Sequence, residues 1–175
     1  METNQLVRLH AVPHPSAPVR QAGFPLDHPY LEQCWASLIG PSSVLLLRRL
    51  PVLWRENVSV EVELEELAGS LGLGNGTGRN GSLQRTLDRL IRFQFAAAEG
   101  PADFAVFTEA PPVSAKRLER LPAWCQTQHE RLLGAHLDRL AQLHAAPPSP
   151  TSLAARLDRL SRPDPTTRPV ATLHR

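Results

Sequence analysis

The chain has 175 residues, 42% hydrophobic and 21% charged, with a net charge of only +2. That suits one globular domain with a real core and gives no bulk pull toward a polyanion. Two cysteines, Cys34 and Cys125, exclude a disulfide framework. The N-terminal "METNQLVRLHAVPHPS" has no apolar segment of signal-peptide length, and the most apolar run, residues 44–47, is too short to span a bilayer. A cytoplasmic, reduced protein with no membrane contact is expected. The charge is uneven: residues 1–110 carry 9 basic and 12 acidic side chains, residues 111–175 carry 10 and 5. An acidic partner is therefore favoured toward the C-terminus. Every basic residue except Lys116 is arginine, the better fork for phosphate and guanine, although a GC-rich genome produces the same bias.

In chain order, residues 1–27 hold "VPHPSAPVRQAGFPLDHP", whose prolines and lack of periodicity predict an extended, mostly disordered arm. "HPYLEQCWASLIG" places Tyr30, Leu31, Cys34, Trp35, Leu38 and Ile39 at helical spacing, ended by Gly40. Pro41 suits the first turn of a second helix, "SSVLLLRRLPVLW", apolar nearly all round and so expected to be the most buried, with an end or kink at Pro51. Val58, Val60 and Val62 alternate with Ser59 and Glu61 as a short strand. A helix with Leu64, Leu67, Ala68 and Leu71 follows, its glutamates in the first turn and Gly72 and Gly74 as stops. Ser82 is the expected N-cap of the next helix, whose apolar face is Leu83, Leu87, Leu90 and Ile91. "FQFAAAEGPADFAVFTEA" predicts a β-hairpin with its tip at residues 99–102. A long helical stretch, broken or restarted at Pro122, runs to His144, and the proline-rich residues 146–175 around a short helical piece predict a disordered tail.

"GTGRNGSLQRTLDRL" contains Gly76, Gly78 and Gly81 as G-x-G-x-x-G. A dinucleotide loop needs a strand before it and a βαβ unit around it; here a helix precedes and a hairpin follows. A phosphate-cradling Walker loop fails because Ser82, not lysine, follows Gly81. The glycines are expected to form a long turn between two helices. No cofactor is expected.

The order strand, helix, turn, helix, hairpin is winged-helix order. "LEELAGSLGLG…SLQRTLDRLIRF" resembles the helix–turn–helix of winged-helix bacterial regulators. Together with "HPYLEQCW…LIGPSSVLLLRRL" and "APPVSAKRLERLPAWCQTQH", residues 24–144 also resemble a group of small uncharacterised actinobacterial proteins; that likeness carries no catalytic residues over. The expected fold is mainly α, a winged helix–turn–helix over residues 28–113 with a small β-hairpin wing, and a long C-terminal helix over 114–145.

The resemblance implies a second helix that reads DNA. With Leu83 at zero, Arg85, Arg89 and Arg92 fall at roughly 200°, 240° and 180° around the helix, opposite the leucines. Gln84 flanks them, Asp88 sits beside them and is placed to pair with Arg92, and Arg79, Asn80 and Ser82 lie at the end that enters a major groove first. Lys116, Arg117 and Arg120 would add phosphate contacts. Against this stand Glu61, Glu63, Glu65 and Glu66 before the turn and Glu99 and Asp103 at a hairpin tip without a basic residue. The expected partner is double-stranded DNA, bound sequence-specifically or architecturally by a homodimeric transcriptional regulator. The alternative is a protein-interaction module using Trp124, the C-terminal helix or the acidic helix face.

Cys125 and His129 are four apart on the C-terminal helix, with His136 and His144 further along, but two ligands do not close a zinc site, and a packed thiol with interfacial histidines is the preferred reading. No nucleophile has a nameable activating partner, so neither catalysis nor a metal is expected. His129, Leu133, His136, Leu140 and Leu143 at 4,3,4,3 spacing are equally a homodimer seam or a face packed on the helix's own domain.

Overall fold

The structure, a computed structural model, describes residues 5–74 and 81–145. Its elements run β1 (Leu6–Val12), α1 (Ala17–Ala22), β2 (Phe24–Pro25), a π-helical turn (Leu31–Trp35), α2 (Ala36–Ile39), α3 (Pro41–Leu53), β3 (Ser59–Glu63), α4 (Leu64–Ser70), α5 (Ser82–Arg92), β4 (Ala96–Gly100), β5 (Asp103–Phe107), β6 (Glu109–Ala110), α6 (Ala115–Leu118) and α7 (Ala123–Ala145). Helix dominates, as expected, and the chain ends its described part in a long helix. Two units divide the chain at Asp138–Arg139; the sheet and the core belong to the first. Among the described residues no helix is long and apolar enough to cross a membrane.

The largest departure from expectation is at the N-terminus. Residues 6–12 are not an arm but the second strand of a four-stranded sheet ordered β3-β1-β5-β4. β1 runs antiparallel to β3, with Leu9 opposite Val60, and parallel to β5, with Leu9 opposite Phe104. Its residues alternate: Val7 and Leu9 are fully buried, while Leu6 and Arg8 are exposed. The period-two pattern was present in "LVRLHAV"; the prolines after it, Pro13, Pro15 and Pro18, masked it. Those prolines belong to the connection that leads through α1 to β2, which pairs with β6. The strand, helix, helix, hairpin order of the sequence is present, with β1 inserted between β3 and the hairpin.

The helical layer follows the sequence closely. Gly40 separates α2 from α3 with φ 80°, a left-handed conformation that favours glycine, and Pro41 opens α3. Pro51 lies inside α3, two residues before its end. α3 is buried on one side only, through Val44, Leu46, Leu47 and Leu50; Leu45, Val52 and Leu53 are exposed, so it is not enclosed all round. Trp35, with no exposed surface, centres the core. Its ring meets Phe95 edge-on at 4.9 Å, and its Nε1–H donates to the Pro111 carbonyl at 2.8 Å. α4 and α5 carry their expected apolar residues inward, and the hairpin forms as expected, with a register irregularity between Ala98 and Gly100. α6 and α7 are separated around Pro122, where the break was expected.

A strand at the centre of the sheet and a disordered arm differ in measurable stability. Leu9→Ala is expected to lower the free energy of unfolding by about 2–5 kcal/mol, the range for a buried leucine. Urea denaturation of the variant reads this, and a change below about 0.5 kcal/mol, the size of a neutral surface substitution, would remove β1 from the core.

Candidate functional site

α5 is fixed by four inward side chains. Leu83, Leu87 and Leu90 are buried in the core, and Thr86 is buried with its hydroxyl donating to the Ser82 carbonyl at 2.9 Å. The helix packs on α3, α4 and β4. Burial of each leucine contributes about 1.5–3 kcal/mol, which holds the rotation of the helix and so the direction of the opposite face. On that face Ser82, Arg85, Asp88, Arg89 and Arg92 are exposed, and Gln84 is half-buried. Gly81, not Ser82, occupies the cap position, and no side chain caps the helix.

The three arginines have different roles. Arg89 donates from Nη1 to the Ile39 carbonyl at 3.1 Å, closing the C-terminal end of α2. A Cβ on Gly40 would lie 2.6 Å from that same guanidinium nitrogen, so a side chain there would push Arg89 aside, and the φ of 80° would strain it as well. Arg85 and Arg92 have no carboxylate within ion-pair distance among the described residues. The expected Asp88–Arg92 pair is not formed; Asp88 accepts instead from the Gln84 amide at 2.8 Å. Arg79 and Asn80, with Gly76 and Gly78, lie outside the described residues.

α6 and the turn after it carry three more cations. Lys116, Arg117 and Arg120 are all exposed. The Arg117 guanidinium sits 5.0 Å from the Phe93 ring centre and 5.9 Å from that of Trp35. Phe93 directly follows Arg92, so this contact brings Arg117 to the C-terminal end of α5.

The outer face of the sheet carries a second polar constellation, legible only once β1 is placed. Arg8 bonds Glu61 on β3 at 3.1 Å and approaches Asp103 on β5 at 3.5 Å. His10 lies 3.2 Å from Asp103 through Nδ1 and 3.2 Å from Glu99 on β4 through Nε2. The acidic hairpin tip is therefore answered by two basic side chains from β1. An open cleft of about 280 Å³ lined by Leu6, Arg8, Glu61, Ala102 and Asp103 lies alongside. Sequence reasoning missed Arg8 and His10 because it assigned them to an arm; the alternation of "LVRLHAV" was the signal available.

Of the histidine seam, the first part is spent inside the chain's own fold. His129 and His136 are buried, and Leu132 and Leu133 pack against the core. The Val113 N–H donates to the Tyr30 oxygen at 2.9 Å, leaving the Tyr30 O–H to donate to His129 Nδ1 at 2.5 Å. Phe24 stacks between Tyr30 and His136, at 3.9 and 4.3 Å between ring centres, and His136 Nε2 lies 3.0 Å from the Gly23 carbonyl. His129 and His136 thus pack on the chain's own fold, the second of the two readings of this face. Cys34 and Cys125 are both free and buried, and burial pushes the Cys34 thiol up to about 11, so it is no nucleophile at neutral pH. Comparison of the chain with family models, with curated proteins and with solved structures gives no match.

Burial lowers the His129 pKa below its ordinary 6.5. Above that value the imidazole is neutral in both folded and unfolded chains. Below it the unfolded chain takes the proton first, so stability falls with pH. Urea midpoints at pH 7.5 and 5.5 are expected to drop further for the native chain than for His129→Gln; equal drops would show that His129 is not the titrating group.

Proposed function

We propose that the protein binds double-stranded DNA through α5 and acts as a transcriptional regulator of winged-helix type. One observation carries the reading: Arg85 and Arg92 stand exposed, without a carboxylate partner among the described residues, on a helix whose opposite face is locked into the core. Free guanidiniums on a rigid helix are the donors that pair with guanine edges and phosphates. Arg85, with Gln84 and Ser82 at the first turns, is assigned to base edges; Arg92, Lys116 and Arg120 are assigned to phosphates. Arg89 serves the fold through Ile39, and Arg117 serves it through Phe93 and Trp35, so both are positioning residues here rather than contacts.

The rival is a protein-interaction module without DNA affinity, favoured by Trp124, 59% exposed at the start of α7. A mobility shift on random duplex separates the two. DNA binding predicts an affinity that falls with salt at a log–log slope of about −3, one phosphate contact for each of Arg92, Lys116 and Arg120. Arg92→Ala reduces that slope by about one, and Arg85→Ala weakens binding to a selected site by about 5- to 100-fold. No binding at low salt selects the rival.

A further inference from the structure

We propose that His10, Glu99 and Asp103 form a binding site for a first-row divalent metal ion, of the zinc or manganese kind, on the outer face of the sheet. The three residues come from three adjacent strands, β1, β4 and β5, and offer one nitrogen and two carboxylate oxygens that all lie within 4.8 Å of one another. Ligands held about 2.0–2.2 Å from an ion sit roughly 3.0–3.5 Å from their neighbours. The His10 Nδ1–Asp103 Oδ1 contact at 3.2 Å already has that spacing; Glu99 Oε2 stands 3.2 Å from the other ring nitrogen, Nε2, and joins the same ion by rotating its side chain.

A second observation points the same way. His10 Nδ1 and Asp103 Oδ1 face each other at 3.2 Å, with no accessible surface, and neither has an aligned hydrogen-bond partner. Buried polar atoms in native structures are almost always satisfied, and a shared cation satisfies this pair. The charge count agrees. Glu61, Asp103 and Glu99 set three carboxylates against the single permanent cation of Arg8. With His10 neutral, as a metal ligand must be, the ladder carries two uncompensated negative charges, which a divalent ion cancels. Arg8, 3.5 Å from Asp103 Oδ2, occupies that oxygen and leaves Oδ1 turned to the site. Nδ1 of His10 ligates beside Asp103 Oδ1, and Nε2 keeps its N–H. Glu99, with a 54% exposed side chain, is free to swing inward. Imidazole with carboxylates suits zinc or manganese better than calcium or magnesium. The other coordination positions face solvent beside the cleft at Arg8 and Asp103, so water or a small anion completes the shell.

The test is calorimetric titration of zinc chloride, and separately manganese chloride, into the full metal-free chain at pH 7, with no nucleic acid present, so that it stands apart from the DNA reading. One ion per chain with micromolar affinity is expected, together with a rise in melting temperature. Glu99→Gln, a near-isosteric change at an exposed position, is expected to weaken binding at least tenfold, as is His10→Ala. His144→Gln, on the exposed last turn of α7, is expected to leave it unchanged. Absence of saturable binding below millimolar metal overturns the proposal, and so does unaltered one-to-one binding in Glu99→Gln.

Discussion

The sheet exists because β1 lies in its middle. β3 and the β4–β5 hairpin are not paired with one another; both are bonded to β1. The pairing continues past the strand proper. Leu64 N–H donates to the Gln5 carbonyl at 2.8 Å, Ala11 N–H to Val58 at 2.7 Å, and Thr108 N–H to Val12 at 2.9 Å. A central strand leaves few of its backbone groups to water, so its removal strips hydrogen bonds from two neighbours at once. The parallel pairing of β1 with β5 also requires a long crossover, and the chain between them contains α1 through α5 and both other long strands. Where the helices sit is thus a consequence of a seven-residue strand at the start of the chain.

From that constraint the orientation of α5 follows by packing. Its leucines enter the core beside α3 and β4, and Arg89 ties it to the end of α2. A guanidinium that donates to a buried helix terminus is ordered, and it holds its neighbours at fixed angles: Arg85 one turn before and Arg92 one turn after. The helix face thus combines one arginine spent on rigidity with two left available. A sequence wheel treats the three as equivalent; the difference lies in what stands opposite each, a carbonyl for Arg89 and solvent for the others.

Much of the helical layer was legible because its signals are local. Gly40 followed by Pro41 states a break and a restart, Leu64, Leu67, Ala68 and Leu71 state a helix face, and Gly72 and Gly74 with φ of 72° and 69° state its end. The sheet was half legible: Val58 to Val62 and the two runs of the hairpin alternate visibly, but no short-range pattern says that a third partner is inserted between them. Strand partners are set by contacts across nearly a hundred residues, as between Arg8 and Asp103. The polar ladder was illegible for the same reason, since its cations and its anions come from segments far apart in the sequence. The histidines of α7 stood as seam or core with equal force, because periodicity reports which residues share a face and not what the face meets. Tyr30 and Phe24, from the stretch expected to be an arm and its edge, supply the answer.

The placement of β1 also changes the weight of the strongest objection to a DNA-binding role. Glu99 and Asp103 on the hairpin tip argue against a wing that grips phosphate, and in isolation they would repel it. In the fold they face His10 and Arg8 at 3.2–3.5 Å. Their charge is turned onto the sheet, where Arg8 offsets part of it. The hairpin offers a duplex no cation of its own, and the proposed contact must be carried by α5 and α6 alone. Such an interface is smaller and has fewer phosphate contacts than one with a basic wing, which places its specificity in the few side chains at the first turns of α5 and makes its affinity depend on how firmly the core holds that helix.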